Sequence, residues 1–148
     1  MKQFEILDIS GDVGIRVFGK NLKELFTNAA KGMFSLITDL SSIKEDKGVH
    51  ISLESHSTDG LFVSWLNELI FHFDTYGFVG KKVEVAELSI QTDKPESLQA
   101  CKLTAFLSGE DFDPVRHQGN LLIKAATYHK LKIVQTEEGW EAEVIFDI

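Results

Sequence analysis

From Asn21 to Ile37 the chain reads NLKELFTNAAKGMFSLI. Leu22, Leu25, Phe26, Ala29, Ala30, Met33, Phe34 and Ile37 recur at offsets of 3, 4, 7, 8, 11, 12 and 15 from the first. An α-helix turns once in about 3.6 residues, so these positions draw one apolar stripe over about four turns. Asn21 stands just before the stripe and Glu24 three residues later, capping-box spacing with Asn in place of Ser or Thr. A second stripe, Leu61, Phe62, Trp65, Leu66, Leu69, Ile70 and Phe73, predicts another helix. Its start falls at Ser57, Thr58 or Asp59, each able to accept the first free N–H groups, and Gly77 suits a left-handed stop.

Outward from these helices the period changes to two. Residues 3–7 (QFEIL) and 13–18 (VGIRVF) read as short strands about a polar turn, DISGD at 8–12. The segment 38–48 is polar and turn-like, and VHISLES at 49–55 alternates as a strand. Residues 81–91 and 98–108 read as strands joined by TDKPES, where Pro95 marks a turn. GEDFDPVRHQGN at 109–120 reads as a loop, and 121–134 with 140–148 as a long hairpin around TEEG. Two helices and six to seven strands, the later ones in hairpins, predict an α+β fold. The helices would lie on one face of a largely antiparallel or mixed sheet, in a single domain over residues 1–148.

Composition agrees with a globular chain: 43% of the 148 residues are hydrophobic and 26% charged. At this length a fold hides roughly 68–70% of the surface of its unfolded chain, enough for a core. Fifteen Lys and Arg against 23 Asp and Glu give a net charge of −8. That field disfavours a polyanion coat, whose binding comes from basic groups neutralising phosphates. The single cysteine, Cys101, cannot form an internal disulfide and fits a reducing compartment. MKQFEILD meets a carboxylate by residue 5, and no apolar run reaches membrane-spanning length. These features predict a soluble cytoplasmic protein.

Few residues carry chemistry. Trp140, Ala142, Val144, Phe146 and Ile148 alternate against Glu141, Glu143 and Asp147, with Ile145 the exception. The Asp147 carboxylate beside the terminal carboxylate of Ile148 is either a solvated strand end or part of a hard-oxygen cation site. Asp8 and Asp12 are turn formers or the missing donor, and their spacing is not that of a calcium-binding hand. Glu110, Asp111, Asp113, Arg116 and His117 share one loop, where His117 is either solvated or an acid–base group or ligand. Lys124 falls in the phase of Leu122, Ala126 and Tyr128, so it either snorkels to water or meets an anion. His129 shares its phase with Ile123, Ala125, Leu131 and Ile133 and reads as a hydrogen-bonded core histidine. No zinc spacing, phosphate-binding glycine loop or nucleophile signature is present.

Taken in order, several pieces resemble the archease family over essentially the whole chain. A D-H-T-A-D-x-G turn is matched by Asp8-Ile9-Ser10-Gly11-Asp12-Val13-Gly14, with Ile9, Ser10 and Gly11 in place of the usual His, Thr and Ala. A G-x-x-L-x-E-x-F helix opening is matched by Gly19, Leu22, Glu24 and Phe26. Trp65 to Leu69 give W-L-N-E-L, Gly109-Glu110 gives G-E, and Lys124 to His129 give K-A-x-T-Y-H. The loop histidine is His117 and the closing D-I is Asp147-Ile148. The resemblance implies a non-catalytic accessory protein of the RtcB-type RNA ligase, promoting guanylylation of the ligase by GTP and multiple turnover in tRNA splicing and RNA repair. It implies a metal site at Asp12, Asp147 and Ile148, and partner-activating roles for Lys124, His117 and Glu110. Calcium comes first as the cation, with magnesium and manganese as substitutes. GTP would be met through the ligase, without direct RNA binding. The alternative is a metal-dependent phosphoesterase or nuclease using the same carboxylates.

Overall fold

A computed structural model of the protein describes residues 2–91, 95 and 98–148. The chain runs β1 (Phe4–Ile9), β2 (Asp12–Gly19), α1 (Leu22–Ile37), β3 (Lys47–Ser55), α2 (Thr58–Tyr76), β4 (Phe78–Ile90), β5 (Cys101–Asp111), β6 (Ala125–Ala126), β7 (Lys132–Thr136) and β8 (Gly139–Asp147). A short 3-10 turn, Leu40–Ser42, follows α1.

Both helices begin as their caps dictate. Asn21 Oδ1 accepts from Glu24 N–H at 2.9 Å, and Ser57 Oγ from Gly60 N–H at 2.9 Å. The Glu24 carboxylate reaches back to the amide of Lys20, one residue before the cap, at 3.4 Å. Gly77 ends α2 with φ 73 and donates to carbonyls of the last turn. The two stripes meet in the core: Leu25, Phe26, Ala29, Ala30, Met33 and Phe34 of α1 and Leu61, Phe62, Trp65, Leu66 and Leu69 of α2 are fully buried. Trp65 Nε1 donates to the Phe26 carbonyl at 2.9 Å, so the largest buried side chain is also satisfied.

The α+β class and the antiparallel pairing hold, but the strands divide into two sheets. The first has the order β1-β2-β8-β6, with β7 beside the other half of β8; the second is β3-β5-β4. α1 packs on β2 and on β4, and α2 on β3 and β4 while reaching β6, so the helices tie the sheets together. Strand alternation turns Ile15, Val17, Val144 and Phe146 into the core and leaves Arg16 outside, where it pairs with Glu5 at 2.6 Å and Glu143 at 2.7 Å.

Three expectations need correction. β5 continues to Asp111, so Gly109 and Glu110 are strand and not loop. Residues 121–134 are not one strand: only Ala125–Ala126 and Lys132–Thr136 pair with β8. Between them Thr127 binds the Ile145 carbonyl through both N–H and Oγ1, and Lys130 adopts φ 53, so the chain turns and the alternation resets. His129 lies in that turn and is exposed; it is not a core histidine. The TDKPES turn rests on residues 92–94, 96 and 97, outside the described residues. Among the described residues no helix is long and apolar enough to cross a membrane.

Candidate functional site

One end of the first sheet collects most of the sequence candidates. β1 and β2 close over Ser10 and Gly11, pairing Ile9 with Asp12; Gly11 takes φ 81, which a side chain would strain. β2 then pairs Val13 with Phe146 of β8, and the same register carries Asp12 beside Asp147 one step further out. On the other side of β8, Ala125 pairs with Asp147 and the Lys124 N–H donates to the Asp147 carbonyl at 2.8 Å. Asp12 is half-buried, while Asp147, Ile148 and Lys124 are exposed. The pairing with Ile9 and Phe146 puts Asp12 and Asp147 on the outer face; Asp8, opposite Val13, falls on the other. Lys124 lines a hollow of about 400 Å³ with Phe71, Asp74 and Thr75 of α2. The oxygen groups that could hold a cation at this end are two side-chain carboxylates and the main chain of Ile148. Among the described residues no three His, Cys, Asp or Glu side chains gather to hold a metal. Oxygen donors of this kind would suit calcium, magnesium or manganese, with further ligands supplied by water or a partner.

Glu110 and His117 form a second, interior cluster. The Glu110 side chain accepts from the Arg116 guanidinium and, at 2.5 Å, from the Lys44 N–H. These donors hold its carboxyl down at a pKa of about 2, Arg116 being the main cause and burial opposing it. The His117 side chain is fully buried, so it is not a solvated loop histidine. Its Nδ1 accepts from the Asp113 N–H at 2.8 Å, while its buried Nε2 lies 3.3 Å from Glu110 Oε2 without a hydrogen bond among the described residues. Neither side chain is presented to a partner. They pin the start of the segment that leads to Lys124.

That segment has no strand partner for much of its length. Asn120 and Leu121 donate to the carbonyls of Ile37 and Leu36, the free end of α1, and Thr38 Oγ1 donates to the Gln118 carbonyl at 2.7 Å. Ile123 is buried, and Asn67 of α2 bonds Ala126 through both ends of its amide. Asn67 escaped the sequence reading as a site residue. Its signals were its place in the W-L-N-E-L piece of the resemblance and an amide of poor helix propensity in a largely apolar helix.

Comparison with known proteins bears on the whole chain. The model of the Archease protein family (MTH1598/TM1083) matches residues 4–148. A protein archease of Methanosarcina acetivorans is 33% identical over 147 residues, 99% of this chain and 97% of its own. One of Saccharolobus islandicus is 35% identical over 148 residues, the full length of both. The solution structure of Methanobacterium thermoautotrophicum protein 1598 superposes with a TM-score of 0.79 at 30% identity over the whole of both chains. A Thermotoga maritima crystal structure, described as an archease and possible chaperone, shares the fold with a TM-score of 0.60 at 18% identity, over 96% of this chain and 94% of its own.

Proposed function

Because the chain belongs to the archease family, we propose that it is a metal-binding accessory protein of an RtcB-type RNA ligase, promoting guanylylation of the ligase by GTP and so repeated turnover. The observation that carries this reading is the convergence of Asp12, Asp147 and Lys124 at one sheet end, from strands at opposite ends of the sequence. Asp12 and Asp147 would hold a divalent ion with Ile148 main-chain oxygens completing the protein's share. When bound, such an ion neutralises phosphate charge, as nucleotidyl transfer from GTP requires. Calcium is the first candidate and magnesium or manganese the substitutes.

The chain's own part is positional. The Ser10–Gly11 turn fixes Asp12, the β2–β8 register fixes Asp147 beside it, and the bond to the Asp147 carbonyl holds Lys124 at the same end. Lys124, exposed, can meet a phosphate or a carboxylate of the partner. Exposed Phe71 and Ile148, at 46% and 45% of their surface, add apolar contact beside it. Glu110 and His117 act on the partner only through the segment they anchor. An acidic surface of net charge −8 suits docking on a protein that itself carries the RNA.

The test is joining of RNA ends by a cognate ligase with GTP and a divalent ion, with and without this protein. Single-round joining should become multiple-round on addition and revert with Asp147→Ala. Unchanged turnover with a verified cognate ligase would overturn the activator role. Hydrolysis of phosphodiesters by the isolated protein would point to the phosphoesterase alternative. The tip's carboxylates are Asp12 and Asp147, with no group of three or more His, Cys, Asp or Glu among the described residues to hold a pair of metals.

A further inference from the structure

β6 is two residues long, yet it carries Lys124 to the sheet end. Such a short strand on the open side of β8 has little pairing of its own to hold it. Asn67, in the middle of α2, supplies what is missing. Its Oδ1 accepts from the Ala126 N–H at 2.8 Å and its Nδ2 donates to the Ala126 carbonyl at 3.4 Å. One side-chain amide thus satisfies both main-chain groups of a residue, as a neighbouring strand would. Ala126 is only 5% exposed, so water is a poor substitute for that pairing. On the side facing α2 the segment borders the hollow that Lys124 lines, and Leu122 just before it is 75% exposed. The other ties on the segment run to β8, through the Ala125–Asp147 and Ala126–Phe146 pairs and the Lys124 and Thr127 bonds; the Asn67 amide is its hydrogen-bonded tie to α2 among the described residues.

We infer that Asn67 is a positioning residue, clamping β6 to α2 and thereby fixing Lys124 against the end of β8. Its functional half rests on the activator reading; its structural half does not. A helix side chain then sets the position of a group on a different element, with no contact to partner or metal.

Amide hydrogen exchange tests the clamp directly. The informative group is the Lys124 N–H, because its acceptor, the Asp147 carbonyl, is untouched by a change at residue 67. Asn67→Ala should speed its exchange by about tenfold or more, while Leu103 and Ala105 in β5 keep their protection. Unchanged exchange at Lys124 overturns the inference. Asn67→Asp supplies a second variant: as a carboxylate it still accepts from Ala126 but cannot donate to it. Protection at Lys124, corrected for intrinsic rates, should therefore recover as pH falls and the Asp becomes a donor. A pH response no different from wild type also overturns the inference.

In the ligase assay, Asn67→Ala should cut stimulation by between about tenfold and a hundredfold, as loss of an orienting contact commonly does. It should have no further effect on top of Lys124→Ala, since it acts through that lysine. Additive losses overturn the positioning role. Should wild type fail to stimulate the ligase, the activator reading falls, and the Lys124 exchange still decides the clamp.

Discussion

The β2–β8 register ends at the Val13–Phe146 pair, and Asp12 and Asp147 are the next residue outward on each strand. Like charges placed opposite each other across a sheet repel, so the pair costs stability unless a cation joins it. Asp12→Asn or Asp147→Asn should therefore stabilise the metal-free protein slightly, while removing its response to calcium. In wild type, calcium at a hundred times its dissociation constant should raise stability by about 2.7 kcal/mol. Denaturant midpoints with calcium and with EDTA, for wild type and both variants, check both signs.

Lys124 is exposed, and among the described residues its hydrogen bond is made by the main chain, to the Asp147 carbonyl. Lys124→Met should leave stability within about 0.5 kcal/mol of wild type. Ligase stimulation should nevertheless be lost. Urea unfolding and the turnover assay on one preparation separate the two effects.

The Glu110 carboxyl sits well below its ordinary value of 4.5, at about 2, because Arg116 and the Lys44 amide bind its charged form. A depressed folded pKa means that the stabilisation is complete above about pH 4.5 and is lost as pH falls toward 2. Glu110→Gln should flatten the fall of the denaturant midpoint across that window. Its midpoint at pH 7 should be lower than that of wild type. A wild-type profile with no fall in that range would show that the carboxylate contributes nothing through its charge.

Trp65→Phe removes the indole bond to the Phe26 carbonyl and opens space at a fully buried site between the helices. A loss of about 1–3 kcal/mol is expected from the missing bond and the residual cavity together. Urea titration followed by far-UV circular dichroism measures it.

At Gly11 a new Cβ would meet no atom within 4 Å, so space is not the constraint there. The constraint is φ 81. Gly11→Ala should therefore cost roughly 1–2 kcal/mol through backbone strain alone. Because the turn sets Asp12, calcium affinity should fall as well, which isothermal titration would read.

The helices were legible in the sequence because their information is local. Asn21, Ser57 and Gly77 mark ends within a few residues of the stripes they bound, and β8 shows its alternation outright. The division into two sheets was not legible, because it depends on which strands pair across long sequence distances, as Val13 does with Phe146. Residues 118–124 resisted reading for a different reason. Their partners are the last carbonyls of a helix, a pairing that leaves no periodic trace. Asp147 was singled out by its place at the end of an alternating strand and Asp12, with Asp8, as a turn carboxylate; the likeness to a family joined Asp12 to Asp147, and the β2–β8 register runs toward both. His117 looked like a solvated or reactive loop residue, and nothing in DFDPVRHQGN announces that its ring is enclosed beside Glu110.

β8 is synthesised after every other strand, yet it sits inside its sheet with β2 on one side and β7 and β6 on the other. Until it emerges, the β1–β2 hairpin has no inner neighbour and β6 has no strand to lie against. The whole first sheet must wait for β8, whatever α1, α2 and the β3–β5–β4 sheet have already done. The residue that closes this strand, Asp147, is also one of the proposed ligands. A chain that stops before β8 therefore leaves Asp12 without the strand that would bring Asp147 toward it.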